Sequence, residues 1–427
     1  MKHFTKKLCL LLSFALLLPM CGCRAEIPGG QTADPIASAQ SGDAEKPTSD
    51  MQAVNLMASV QAKNTETRKA DAVFSEAAAN FAVGLLQGSA DGTDNCVLSP
   101  YSAMVALAMT ANGAKGDTLA QMETVLGLPI GTLNEYLHGC DMGSEVTGAN
   151  AMWFRDTPDL IVKDAFLQAN ADYYGADAYR APFDAQTVRD INAWVSAHTA
   201  GRIPSMLDNM SAEIMLVLIN ALTFDAQWQE KYAEDNATDG EFNAADGTVQ
   251  PASYLHSEES IYLDDGMATG FLKPYEGGRY SYLALLPNED VTMEEYLASL
   301  TGDNLLDTIA NASSESVKVA MPKLKTETTR ELNEPLCAMG MPLAFGAGAD
   351  FSGIADNELC IDTVLQKTYL EVDENGTKAA AATAVIMKEC AIEMTKSVFL
   401  NRPFVMGIYD NETQTFLFLG VINQVTE

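Results

Sequence analysis

Cations are scarce in this chain: 26 lysines and arginines stand against 58 aspartates and glutamates, a formal net charge of −32 over 427 residues. A surface of that sign has no electrostatic footing on nucleic acid or on anionic lipid. The acidity reads as solvation of an exported protein, with long-range steering of a cationic protein partner as the rival reading. Histidine is nearly missing too, with only His138, His198 and His256 beyond the N-terminal leader. No Gly-x-Ser-x-Gly elbow and no Gly-x-x-x-x-Gly-Lys-Ser/Thr loop occurs, so neither a hydrolytic triad nor a nucleotide site, and no enzyme, is expected. The eight cysteines contain no Cys-x-x-Cys pair and no histidine at metal spacing, so no metal and no other cofactor is expected. Cys96 and Cys360 lie among apolar residues and read as small core side chains.

Candidates for a membrane-spanning run are missing, and one N-terminal stretch comes nearest. Lys2, Lys6 and Lys7 precede an apolar stretch from Leu8 to Met20, shorter than the roughly 20 residues of a spanning helix and fitting a secretory signal. Met20-Cys21-Gly22-Cys23 ends it. A small residue before a cysteine resembles a bacterial lipoprotein cleavage site, which makes residues 1–23 a lipoprotein signal peptide and Cys23 the lipid-bearing residue. Cys21 fits less well because Met20 is bulky, and cleavage without a lipid is the plain alternative. Residues 24–70, rich in Ala, Gln, Ser, Asp and Pro, read as a flexible tether. The expectation is a protein outside the cell, lipid-anchored or secreted, touching membrane only through the anchor.

What is present is enough apolar material for a large core, 47% of the residues. No period of 20 to 50 residues recurs, which removes solenoids and propellers. Ala103 to Ala111 reads as a buried helix opened by Ser99-Pro100, and Glu213 to Phe224 as an almost uninterrupted apolar central strand. Helical and strand patterns are mixed throughout residues 71–427, which read as one α+β domain.

The most informative stretch is Val372-Asp-Glu-Asn-Gly-Thr-Lys-Ala-Ala-Ala-Ala-Thr-Ala384. Upstream, Val364, Gln366, Thr368, Leu370 and Val372 share one alternation phase, the pattern of a strand with one buried face. Downstream, Thr377, Ala379, Ala381, Thr383, Val385 and Met387 are uncharged, whereas Lys378 and Lys388 take the other phase. Such a segment is able to become a strand, although four consecutive alanines also suit a helix end.

The stretch resembles the hinge of a serpin's reactive loop, and its neighbours carry the resemblance further. Asn401-Arg402-Pro403-Phe404 matches that family's C-terminal signature. Asn95-Cys-Val-Leu-Ser-Pro-Tyr-Ser102 with Asn112-Gly-Ala-Lys-Gly116 resembles its buried helix, and Leu218-Ile-Asn-Ala-Leu-Thr-Phe224 with Trp228 a central sheet strand and the tryptophan below the loop. Met339-Gly-Met-Pro-Leu-Ala-Phe345 and Ala349-Asp-Phe-Ser-Gly-Ile354 complete the set, in the family's order from about Asp71 onward.

The resemblance implies a serpin fold with three β-sheets, about eight or nine helices and an exposed reactive-centre loop. It implies an irreversible suicide-substrate inhibitor of serine proteases. The hinge is then Glu374, Asn375, Gly376, Thr377, Lys378, Ala379, Ala380, Ala381 and Ala382, and the segment from Gly376 onward enters the sheet after cleavage. Sixteen positions beyond Glu374 lies Cys390, so Cys390-Ala391 is the implied reactive bond, with Lys388 or Ala391 as other candidates for the scissile carbonyl. Val385, Ile386, Met387, Lys388 and Glu389 supply protease subsites. A small apolar Cys390 suits an elastase-like or subtilisin-like protease, whereas Lys388 suits a trypsin-like one. An exposed Cys390 also raises redox control, against the plain reading that it fills a pocket. Ser99, Ser102, Asn220 and Gln366 form the implied shutter, with Gln366 where many serpins carry histidine, and Trp228 marks the breach. Heparin activation is not expected, since Gly131 to Gly148 carries Glu135, His138, Asp141 and Glu145. A monomer is the family default. A non-inhibitory serpin acting as a binding module, or a cross-class inhibitor of cysteine proteases, remain alternatives.

Overall fold

Gln366, Thr368, Leu370 and Val372 are buried while Leu365, Lys367, Tyr369 and Glu371 are half-exposed, so the alternation in sequence becomes a strand with one core face. The computed structural model describes residues 51–90, 92–211, 213–233, 237–377 and 396–425. Eight strands make the largest sheet: β1 Val54–Asn55, β2 Val146–Arg155, β3 Asp177–Ala181, β4 Leu216–Phe224, β5 Ala226–Gln227, β6 Leu324–Glu331, β7 Thr363–Val372 and β8 Gly376–Thr377. Across it they run β1-β3-β2-β4-β7-β8-β5, with β6 also paired to β7. The central pair β4 and β7 is parallel, whereas β7 is antiparallel to β6 and to β8. Among the described residues there are nine α-helices and three sheets, the other two of six and four strands, which is the expected α+β class.

Both faces of β4 are covered, which is why its sequence runs apolar without alternating. Leu216, Leu218 and Leu222 join the main core, to which helix α1, Ala72–Ser89, also contributes, on the side of helix α2, Pro100–Ala111, whose twelve residues are all buried. Val217, Ile219 and Ala221 pack into a second core with Trp153 and Tyr179 under helix α3, Ala185–His198. Asp184 and Thr187 close α3's first turn as a capping box. The expected strand from Glu213 starts at Leu216 instead, because the N–H groups of Met215 and Leu216 both donate to Asp362 Oδ2. The C-terminal strands Phe404–Asp410 and Thr415–Ile422 pair antiparallel, with every residue buried.

Two expectations need correction. The tether does not extend to residue 70: from Met51 the chain lies against the domain, with Val54 and Asn55 paired to Arg180 and Tyr179. The N–H groups of Gln52 and Ala53 donate to the buried carboxylate of Asp190 on α3, and Arg68 pairs with Glu135. Main-chain hydrogen bonds hold this segment, so its polar composition concealed it. Cys360 is half-buried rather than a core residue, while Cys96 is fully buried as expected.

Candidate functional site

Val372 is followed by a tight reversal. Asp373 Oδ1 accepts from the N–H of Asn375 at 2.7 Å and of Gly376 at 3.2 Å, and Gly376 O accepts from Asp373 N–H at 3.0 Å. The chain returns as β8, pairing Thr377 with Val372 on one side and with Ala226 on the other. Only glycine fits at 376, because a Cβ there would lie 2.1 Å from Ala226 O. The stretch expected to enter the sheet from Gly376 onward thus has its first two residues, Gly376 and Thr377, paired in the sheet in this structure.

A polar and aromatic cluster receives these residues. Thr377, 1% exposed, has its hydroxyl 2.6 Å from that of Tyr275, and Tyr275 stacks on Trp228 with ring centroids 4.5 Å apart. Trp228 donates its indole N–H to Asp373 O at 2.9 Å and its backbone N–H to Asn375 O at 2.8 Å. Tyr232 N–H donates to Glu374 O at 3.0 Å, and the Glu374 carboxylate pairs with Lys323. Below lies a buried ion pair, Lys273 Nζ to Glu259 Oε1 at 2.7 Å, with the ammonium 4.5 Å from the Tyr232 ring centroid. Burial pushes the Tyr275 phenol well above its ordinary range, so it stays a neutral donor and acceptor.

Lower down, where β4 and β7 are directly paired, an amide row crosses three strands. Gln366 Oε1 accepts from Ser99 N–H at 2.8 Å, and its Nε2 donates to Ser99 O at 2.9 Å and to Asn220 Oδ1 at 3.2 Å. Asn220 Nδ2 donates to Ser102 O at 2.7 Å and to Asn150 Oδ1 at 2.5 Å. Ser99, Ser102, Asn220 and Gln366 are thus brought together, with Ser99 and Ser102 joining through their backbones rather than these bonds reaching their hydroxyls. Glutamine supplies both a donor and an acceptor at a position where one neutral imidazole nitrogen supplies one or the other.

Glu374, Asn375, Gly376, Thr377 and Trp228 meet in one place. Lys378, Ala379, Ala380, Ala381, Ala382, Val385, Ile386, Met387, Lys388, Glu389, Cys390, Ala391 and Cys23 lie outside the described residues. Sequence reasoning missed Asn150, Tyr275, Lys323 and the Lys273–Glu259 pair. A lone asparagine inside the strand Val146–Arg155 was the one available signal.

The family model described as "Serpin (serine protease inhibitor)" matches residues 76–425. A serpin-like protein of Thermococcus kodakarensis is 33% identical over 80% of this chain and 83% of its own length. The leukocyte elastase inhibitor of Bos taurus is 31% identical over 76% of this chain and 92% of its own. Among solved structures, the thermophilic serpin tengpin in its native state matches with a TM-score of 0.84 and 40% identity, covering 88% of this chain and all of that one. Its latent state matches less well, at a TM-score of 0.73, covering 86% of this chain.

Proposed function

The chain belongs to the serpin family, and from that premise we propose that it is an irreversible suicide-substrate inhibitor of serine proteases of elastase-like or subtilisin-like specificity. The observation that carries the proposal is β8, a hinge already paired at the head of the β4–β7 seam and followed in sequence by small residues. The chain supplies no triad; the protease does. Its serine oxygen attacks the carbonyl carbon of Cys390, the Cys390–Ala391 peptide bond breaks, and the amine of Ala391 departs with the proton relayed by the protease histidine. An ester then joins Cys390 to the protease.

Cleavage frees Lys378 to Cys390 from its C-terminal tie. Opening the seam breaks one parallel ladder, Val217–Leu222 against Thr363–Thr368, and a strand entering antiparallel to both neighbours forms two ladders in its place. Thirteen residues at about 3.3 Å each carry the attached protease about 45 Å, which distorts its active site before the ester is hydrolysed. Inward positions must be free of charge, because an unpaired buried charge costs several kcal/mol. Thr377, Ala379, Ala381 and Thr383 meet that requirement. The same reading places the protein outside the cell, held to a membrane by lipid on Cys23 and acting as a monomer.

The test is incubation of the purified chain with elastase-like, subtilisin-like, trypsin-like and papain-like proteases. Denaturing electrophoresis and mass spectrometry should find a covalent complex with an elastase-like or subtilisin-like enzyme and a released fragment starting at Ala391. Turnover by every enzyme with no complex would refute inhibition. A fragment starting at Glu389 would move the reactive bond to Lys388 and the specificity to trypsin-like.

A further inference from the structure

We propose that Asn375 is a self-modification site: the backbone nitrogen of Gly376 attacks its side-chain amide when β8 leaves the sheet, and the isoaspartate that forms prevents β8 from pairing again. The chemistry needs only the intact chain and is independent of loop insertion. Gly376 N bonds to Asn375 Cγ, the Cγ–Nδ2 bond breaks, and ammonia departs with the proton that Gly376 gave up. Water then opens the five-membered imide at either carbonyl. One opening leaves aspartate. The other leaves isoaspartate, whose backbone runs through the side-chain carbon and is one carbon longer, and both products add a negative charge. A side chain on the following residue crowds the attacking nitrogen, and glycine has none.

The sequence holds two Asn-Gly pairs, Asn112-Gly113 and Asn375-Gly376, and the structure treats them differently. The carboxamide of Asn112 is held at both ends: Nδ2 donates to Ala108 O at 2.9 Å, and Oδ1 accepts from Asn134 Nδ2 at 2.7 Å. At Asn375 the hydrogen bonds among the described residues fall on the backbone, the N–H donating to Asp373 Oδ1 and the carbonyl accepting from Trp228 N–H. The attacking nitrogen, Gly376 N, also donates to Asp373 Oδ1, at 3.2 Å, and that bond holds the proton that must leave. Ala226 O closes the space beside Gly376 Cα, where a Cβ would lie 2.1 Å from it. Protection at Asn375 therefore depends on β8 staying paired. That strand has two residues, joined to Val372 on one side and to Ala226 and Gln227 on the other, and so short a pairing opens locally far below the cost of global unfolding. Asn375 is half-exposed, so water reaches the imide. In isoaspartate the two N–H groups now held by Asp373 Oδ1 stand one atom further apart along the chain. The carbonyl that took the Trp228 N–H becomes part of a carboxylate, beside Asp373 and Glu374, and the reversal no longer closes.

The test incubates the full chain at pH 8 and maps isoaspartate by peptide mass spectrometry and an isoaspartyl methyltransferase. The folded chain should gain isoaspartate slowly at 375 and none at 112, and the chain unfolded in urea should gain it at both. Asp373→Ala, which removes the acceptor, should raise the rate at 375 about tenfold. Thr377→Val, which keeps Asp373 but loses the contact with the Tyr275 hydroxyl, should raise it as well. An unmodified Asn112 in both variants shows that they are folded. Asn375→Gln, whose imide would be six-membered and slow to form, should abolish the modification. In the modified fraction, separated by its added charge, the Trp228 and Tyr232 N–H groups that now bond Asn375 O and Glu374 O should exchange hydrogen faster, whereas in Asn375→Asp they should stay slow. A rate at Asn375 that neither variant changes, or that exceeds the rate at Asn112 in no folded chain, would overturn the proposal. A modified fraction that exchanges like the unmodified chain would overturn the claim that isoaspartate keeps β8 out.

Discussion

The hydroxyls of Thr377 and Tyr275 lie 2.6 Å apart, both buried, with Thr377 on the short strand β8. A Thr377→Arg change would place a cation in that closed, neutral environment, at a cost of several kcal/mol. The intact chain can escape that cost by releasing β8 from the sheet, whereas an inserted strand cannot, so partition between trapping and release should shift toward release, tenfold for each 1.4 kcal/mol of the difference. Cleavage of the loop should continue at a similar rate without covalent complex, read as the molar ratio needed for full inhibition.

Lys273 and Glu259 form a buried pair beneath this point, and Ser257 donates to the same carboxylate at 2.6 Å. Lys273→Met should destabilise the intact chain by about 3–5 kcal/mol, because Glu259 is left charged in the interior. The double change Lys273→Met with Glu259→Leu should recover most of that loss. Chemical denaturation of the three proteins checks it.

Deleting residues up to Val60 should lower stability even though the deleted segment is polar. Asp190, 3% exposed, would lose two N–H donors and keep only Gln186 Nε2 at 2.7 Å. The expected cost is about 1–3 kcal/mol, and thermal unfolding of the truncated chain measures it. Asp190→Asn should make the truncation less costly, because a neutral amide tolerates the lost donors better than a carboxylate.

How much of this was legible in the sequence differs from element to element. β7 is readable because Val364 to Val372 alternate, and α2 because Ala103 to Ala111 suits burial and Ser99-Pro100 opens it. The turn after Val372 shows in the sequence as the Asn375-Gly376 dipeptide. The pairing of β8 in the sheet does not, because the need for glycine at 376 comes from the Ala226 carbonyl, 150 residues away in the chain. Gln366, Asn220 and Ser99 were grouped through resemblance, whereas Asn150 escaped: a single amide in a strand shows no periodicity, and its partner is set by the β2–β4 register. Tyr275 carries no local signal at all, since its role depends on a hydroxyl 102 residues later. β1 leaves no trace in the sequence, because two residues of pairing make no apolar pattern.

Cysteine reactivity should be graded by burial. The Cys140 thiol is pushed up to about 12, first by desolvation and then by the nearby Asp410 carboxylate. A raised thiol pKa means less thiolate at a given pH, so at pH 8 only about one molecule in ten thousand is reactive there. Iodoacetamide at pH 8 should therefore leave Cys140 and the fully buried Cys96 unmodified in the folded chain and label both after denaturation.

Strand insertion at the β4–β7 seam would show in thermal unfolding of the chain before and after a single cut in the loop. Insertion predicts that the cut chain, with two antiparallel ladders in place of one parallel one, melts well above the intact chain, by tens of degrees if the inserted strand is fully paired. A cut chain that melts at or below the temperature of the intact one would contradict it.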